Sequence, residues 1–432
     1  MASTVLRKDY SGAGNKQKQT ISVWVKRCNG LTGNQAIFSV RHTGNSNFYG
    51  YLRFKTDSSL QFYNNSPSIN VRTTRLFKDI NAWYHIVITV DTTQSTAADR
   101  IKMYINGVQE TSFQNSDYPS QNAEVTFGDD YRHEIGSYDS SYYFEGLMSH
   151  FYFITNTAYQ ASTFGSTDST TGEWKINTSP TITYATNSFF ILKDGNSVTD
   201  QSGQGNNFTV AGGTLTKTED NPSNVFCTNN PLWKQESTRY LTHTRGNTMI
   251  SGGGSATWYQ TPGTLAFNSG KFYWECKYNA ATNLTQNHAG VIVYEKTQES
   301  GKFRDKVGSV FFTNEDGGEM HIDGPATTAD YGTIGQNDIL GVAVDMDATT
   351  PTVKFYKNGS LHASTNAASL AGKFVTPAQM IYQSGEFQLN FGNGYFSTTA
   401  VSSAGTNASG IGIFEYDVPT GFTALTTKGL NL

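Results

Sequence analysis

Apolar and polar residues alternate over short runs along most of the chain, which is the period of a half-buried β-strand. Clear cases are Ile21-Ser22-Val23-Trp24-Val25-Lys26, Tyr49-Gly50-Tyr51-Leu52-Arg53-Phe54 and Lys271-Phe272-Tyr273-Trp274-Glu275-Cys276-Lys277. Trp83 to Asp91 and Ile339 to Asp345 are apolar on both faces, as strands covered from two sides are. No long run has the period of a helix. Two stretches repeat each other: Ile101-Lys102-Met103-Tyr104-Ile105-Asn106-Gly107-Val108 and Val353-Lys354-Phe355-Tyr356-Lys357-Asn358-Gly359-Ser360. Each closes an alternating strand with Asn-Gly, which tolerates the positive φ of both central positions in a type I′ hairpin turn. Each also follows a hydrophobic strand ending in Asp. The pattern predicts an all-β chain of two antiparallel β-sandwiches in tandem, each with the same central hairpin.

Composition narrows the function classes. The chain has 432 residues, enough for two or three domains with separate cores. Aromatics reach 13% while charged residues are only 15%, and 42 glycines against 10 prolines fit many strands joined by many turns. With 31 basic and 35 acidic residues and no basic cluster, nothing neutralises a phosphate backbone, so no nucleic-acid partner is expected. Met1 to Gly14 lacks the apolar core of a secretory signal, and no apolar run has membrane-spanning length. The expectation is a soluble protein made in a cytoplasm, without membrane insertion. Cys28, Cys227 and Cys276 are too widely spaced for a metal set and read as buried thiols.

The ordered elements carry a resemblance. Ile21 to Arg27, Trp83 to Asp91, Met103 to Gly107, Glu134-Ile135-Gly136 with Phe144-Glu145-Gly146, and Asp200-Gln201-Ser202-Gly203-Gln204-Gly205-Asn206-Asn207 resemble a laminin-G-like, concanavalin A-like lectin domain over residues 1–215. A proline-containing stretch, 216–234, reads as a linker. From Gly270-Lys271-Phe272-Tyr273-Trp274-Glu275 through Asp338 to Asp345 and Phe355-Tyr356-Lys357-Asn358-Gly359 to Phe387 to Gly392, residues 235–398 resemble a SPRY domain. A tail of residues 399–432 follows. Both resemblances imply concanavalin A-like jelly-roll sandwiches. The whole arrangement is similar to virion proteins of tailed, marine-type bacteriophages. That likeness implies a particle-surface fibre, appendage or decoration, assembled in the host cytoplasm. Its partners would be host cell-surface glycan or protein, other virion proteins, and copies of itself in a homo-oligomer.

The search for chemistry gives candidates for binding and little for catalysis. Glu315-Asp316-Gly317-Gly318-Glu319 departs from the E-x-D-x-x-E strand of lectin-fold glycosidases and reads as an acid-rich turn. His133-Glu134 has no second histidine at zinc-protease spacing, and no nucleophile elbow or phosphate loop is present. A non-enzymatic protein is expected, with a glycan depolymerase as the enzymatic rival. For sugar contact, aromatic rings on loops can stack on apolar sugar faces while polar neighbours take the hydroxyls. Tyr138, Asp139, Tyr142 and Tyr143 form one such group, where the plainer reading has Tyr142 and Tyr143 begin the next strand; Trp258 and Tyr259 form another, where the plainer reading makes Trp258 core. Calcium is the candidate cofactor, held by Asp129 and Asp130 or by Asp194, Asn196 and Asp200, where the plainer reading is turn formation.

Overall fold

Both Asn-Gly pairs turn as their sequence requires. The φ angles are +49° at Asn106 and +79° at Gly107, and +48° at Asn358 and +82° at Gly359. The computed structural model describes residues 3–28, 33–193, 197–234, 241–279, 284–327 and 329–432. They fall into two units, Met1–Lys217 and Thr218–Leu432. Among the described residues the structure is all-β, with short 3₁₀ turns and no helix long and apolar enough to cross a membrane.

In the first unit one sheet has eight strands. Their order is Phe113–Asp117, Ile69–Leu76, Ser59–Asn64, Tyr49–Phe54, Gln35–Arg41, Arg132–Ile135, Val5–Asp9 and Thr209–Gly212. A second sheet runs Phe189–Ile191, Gly146–Thr155, Lys18–Arg27, Trp83–Asp91, Ile101–Ile105 and Val108–Gln109. The core lies between their inner faces. Phe38 has Phe127, Phe151 and Phe153 at ring separations of 5.4 Å, and all four are fully buried. Each such burial stabilises the sandwich by about 2–3 kcal/mol relative to exposure. A smaller apolar layer covers the second sheet's outer face, where Phe164, Tyr159 and Trp174 pack against Val87, Tyr104 and Tyr152.

In the second unit the larger sheet runs Thr242–Thr244, Met249–Ser251, Glu386–Asn390, Lys271–Tyr278, Ile339–Asp345, Thr352–Lys357 and Ser360–Asn366, with Thr423–Ala424 joining Lys271–Tyr278 in parallel. The facing sheet runs Trp258–Pro262, Val375–Tyr382, Asn287–Val293, Ser309–Thr313 and Glu319–Ile322. Trp274, Phe312, Leu340 and Phe355 are wholly buried between them.

Residues 218–234 and the C-terminal tail belong to this second unit. Phe226 and Cys227 are buried, and Phe226 packs with Phe414, Val418 and Phe422 of the tail on the outer face of the larger sheet. Part of the stretch read as a linker, Phe226 to Asn229, thus packs into this unit. Its apolar members, Phe226 and Cys227, need a surface to cover.

Candidate functional site

The sequence alternation that buries Leu52 and Phe54 turns Tyr49, Tyr51 and Arg53 to the opposite, outer face of the eight-stranded sheet. Strand register then assembles a patch. Tyr51 lies opposite Ser39 on one side and Tyr63 on the other, while Tyr49 lies opposite Arg41. The Tyr51 and Tyr63 rings stack at 5.0 Å and Tyr49 stacks on Tyr63 at 5.7 Å. The Arg53 guanidinium sits 4.1 Å over the Tyr51 ring and donates to Gln61 Oε1 at 3.0 Å.

The loop after the Arg132–Ile135 strand folds back over this face. Tyr138 meets Tyr49 at 5.7 Å and Tyr51 at 5.4 Å, and stacks with Tyr142 at 6.0 Å. Tyr142 also lies 5.2 Å from the Arg53 guanidinium and is 38% exposed. Asp139, Ser140 and Tyr142 all have left-handed φ, +49°, +54° and +50°. For a bulky residue such as Tyr142 that conformation costs about 1–3 kcal/mol and persists only where the surroundings impose it. Glu134, almost wholly buried, supplies part of the constraint. Its Oε2 accepts from the Asp139 N–H at 3.2 Å and the Ser137 hydroxyl at 3.3 Å, while Oε1 takes Arg7 at 2.8 Å. Arg41 closes the rim by pairing with Asp139 at 2.7 Å.

The electrostatics keep the phenols neutral. Burial pushes Tyr51 up to about 12, against the opposing charge of Arg53. Burial also raises Tyr49 and Tyr138, with the Asp139 charge adding to the effect at Tyr138. The face therefore presents the exposed Tyr142 ring and the partly exposed Tyr49, Tyr63 and Tyr138, with Arg53 and Tyr51 buried beneath them, and its rings and hydroxyls suit a polyhydroxylated or aromatic-rich ligand.

Of the residues expected from sequence, Tyr138, Asp139 and Tyr142 belong to this patch. Tyr143 is half-buried and makes no ring contact with it. Tyr49, Tyr51, Tyr63 and Arg53 were not singled out. The available signal was the alternation of Tyr49, Tyr51 and Arg53 against Leu52 and Phe54. In the second unit the pair separates: Tyr259 is 5% exposed and lies in the interior, whereas Trp258 faces outward. Trp258 meets His288 edge-on at 4.8 Å, and carries Lys302 and Arg304 about its ring at 5.0 and 4.9 Å.

Two of the five calcium candidates, Asp129 and Asp200, already have partners within the fold. Asp129 Oδ2 pairs with Lys16 at 3.1 Å, and its Oδ1 accepts the N–H of the exposed Asp130 at 3.0 Å. Asp200 organises its own loop: Oδ1 accepts Phe190 N–H and Ser202 N–H, both at 2.9 Å, and Oδ2 accepts the Ser202 hydroxyl at 2.7 Å and Asn206 N–H at 2.8 Å. Asn207 Oδ1 returns a bond to Asp200 N–H at 2.8 Å. Those bonds account for the Asp, Ser and paired Asn of that motif as turn chemistry. Asp194 and Asn196 lie outside the described residues.

One buried Ser–His pair also has a structural explanation. Ser22 Oγ is 2.9 Å from His85 Nε2, but the Trp174 indole donates to His85 Nδ1 at 3.0 Å. Nδ1 is therefore the acceptor and Nε2 carries the proton, the reverse of what a base toward Ser22 needs.

Comparison with solved structures finds similarity over part of this chain. The TRIM65 PSpry domain is 17% identical, with 38% of this chain and 88% of that one covered and a TM-score of 0.30. The SPRY domain of human HERC1 is 16% identical, with 37% and 96% covered and a TM-score of 0.31. Stonustoxin is 21% identical over 38% of this chain and 27% of its own, with a TM-score of 0.29. No curated protein matches. Residues 9–162, which contain the tyrosine patch, match the family model of the concanavalin A-like lectin/glucanases superfamily.

Proposed function

We infer that this chain is a non-enzymatic recognition protein whose first unit binds glycan through the outer face of its eight-stranded sheet. The observation that carries the reading is the tyrosine patch. Five rings from three elements form one contiguous cluster, two of them, Tyr51 and the exposed Tyr142, lie against Arg53, and Tyr142 is held in a strained conformation. The superfamily match over residues 9–162 supports a ligand-binding role for the same region. A protein ligand presenting aromatic or polar side chains is the alternative occupant.

The chain-wide resemblance to tailed-phage virion proteins supports the finer reading, a particle-surface protein that contacts the host cell. Weak individual sites would gain strength from several copies acting together in a homo-oligomer. Capsid decoration or appendage assembly is the second reading, favoured by the outward Trp258 flanked by Lys302 and Arg304, which offers the second unit an anchor for another virion protein.

The test is binding of the purified chain to a glycan array and to host cells, alongside Tyr49→Ala and Tyr142→Ala. Saturable binding that falls about tenfold or more in each variant supports the reading. Binding that both folded variants retain in full overturns the site. Failure of the wild type to bind any glycan or cell overturns host recognition in favour of virion assembly, and the protein's absence from purified particles removes both virion readings.

A further inference from the structure

The acid-rich turn of the second unit brings together three potential metal ligands. Asp316, Gly317 and Gly318 have φ of +45°, +88° and +97°, so the chain reverses sharply between the Ser309–Thr313 and Glu319–Ile322 strands. A side chain at position 318 would strike the Gly332 carbonyl at 2.3 Å, which explains the glycine there. The reversal returns Glu315 beside Glu319. His321 follows two residues later and therefore shares a strand face with Glu319, while Met320 points into the core. Ligand atoms of Glu315, Glu319 and His321 all lie within 4.8 Å of one another.

The histidine is oriented as a ligand would be. Its Nδ1 lies 2.9 Å from the Gly324 carbonyl, which can only accept, so Nδ1 carries the proton. A backbone carbonyl in that role is the usual device for fixing the tautomer of a metal-binding imidazole. The other nitrogen, Nε2, then presents a lone pair toward Glu319 Oε1 at 3.2 Å. With the ring neutral, two acceptors face each other, a pairing that a shared proton or a bridging cation resolves, and the His321 side chain is nine-tenths buried, at 9% exposure.

Charge and access also fit. Glu315 Oε2 is held by Arg304, while the other oxygen, Oε1, is 3.8 Å from Nε2 of the buried His288, beyond hydrogen-bond distance. Arg304 has a second carboxylate neighbour in Asp305 at 3.5 Å, so a divalent ion would meet two carboxylates without stranding the guanidinium. Glu315 keeps 21% of its side chain exposed, which leaves an entry path. One imidazole and two carboxylates suit a transition-type ion better than calcium, and three protein ligands leave a position for water or a partner's side chain.

We propose that Glu315, Glu319 and His321 form a divalent-metal site, with zinc the preferred ion. It lies in the second unit and is independent of the tyrosine patch. The experiment is calorimetric titration of the untagged, chelator-dialysed full chain with zinc chloride, alongside Glu319→Gln, His321→Gln and the exposed-site control Glu299→Gln. One zinc per chain is expected in the wild type and in the control. Affinity should fall by at least about 100-fold in the two ligand variants, since loss of merely an outer-shell partner costs 10–100-fold. X-ray absorption on the zinc-loaded wild type, which needs no variant to fold, should find one imidazole and oxygen neighbours. No stoichiometric uptake, unchanged affinity in both folded ligand variants, or sulfur in the zinc shell overturns the site.

Discussion

Asn106 and His85 exchange two hydrogen bonds: the His85 N–H donates to Asn106 Oδ1 at 2.8 Å, and the Asn106 N–H donates to the His85 carbonyl at 2.9 Å. The second unit repeats the arrangement between Asn358 and Ile339, at 2.9 Å for each bond. The hairpin asparagine thus does more than tolerate a positive φ. It fastens the turn to the start of the neighbouring central strand. Asn106→Gly keeps the conformation and loses the side-chain bond, at about 1 kcal/mol. Asn106→Ala loses both, and should cost about 2–3 kcal/mol. Urea melts of the two variants compare these terms directly; equal losses would mean that the backbone conformation contributes nothing.

That turn was legible in the sequence because its signal is local, two residues with restricted φ between alternating strands. The strands were legible for the same reason. The tyrosine patch was only half legible. Tyr138, Asp139 and Tyr142 are adjacent in sequence, but Tyr51 meets Tyr63 only through strand register, and Glu134 reaches Asp139 only through the fold. Trp258 and Tyr259 show the limit of period-two reasoning, which separates their faces without saying which one is inside. Glu315 and Glu319 did form the expected turn. Their convergence with His321 depends on the reversal at Gly317 and Gly318, whose geometry no spacing rule encodes.

Glu275 is the buried carboxyl on which the C-terminal tail is fastened. It accepts Tyr416 N–H at 2.9 Å, Glu415 N–H at 3.0 Å and the Asn390 amide at 3.1 Å. Burial outweighs these donors and pushes its carboxyl up to about 7. The folded state therefore holds this proton more tightly than the unfolded chain does. Its contribution is full below the ordinary carboxylate range and is lost as pH rises through about 7, on the order of 3 kcal/mol in all. The buried His243 and His288, whose values burial lowers, act in the opposite sense. Comparison with Glu275→Gln isolates the carboxyl: the variant's stability should lose this component of the pH dependence between pH 5 and 8. Parallel wild-type and variant curves would reject the assignment.

The first unit should weaken in acid for a different reason. Burial lowers His85 to about 3 and His133 to about 4, so both stay neutral in the fold while the unfolded chain takes up protons near pH 6.5. Stability from these two groups is present above that pH and is lost as pH falls toward the folded values. By pH 5 the loss is about 2 kcal/mol for each histidine. Hydrogen exchange in the Trp83–Asp91 strand, followed from pH 7 to pH 5 after correction for intrinsic rates, should show falling protection. His133→Gln should flatten part of that decline; an unchanged profile would remove His133 from the account.

Asp200 separates turn chemistry from calcium binding. Four donors already occupy its two oxygens, whereas calcium requires six to eight oxygen ligands and would have to displace some of those bonds. Asp200→Asn sets an amide group against at least one of the same donors and should destabilise the first unit by about 2–3 kcal/mol. Because Phe190 N–H is among them, the loss should appear as faster hydrogen exchange in the Phe189–Ile191 strand. Calcium or its chelator should leave that strand's protection unchanged in the wild type, and calcium should not restore it in the variant. Protection that rises with calcium in the wild type and not in Asp200→Asn would make Asp200 a ligand, because the fold would then have exchanged its loop donors for an ion.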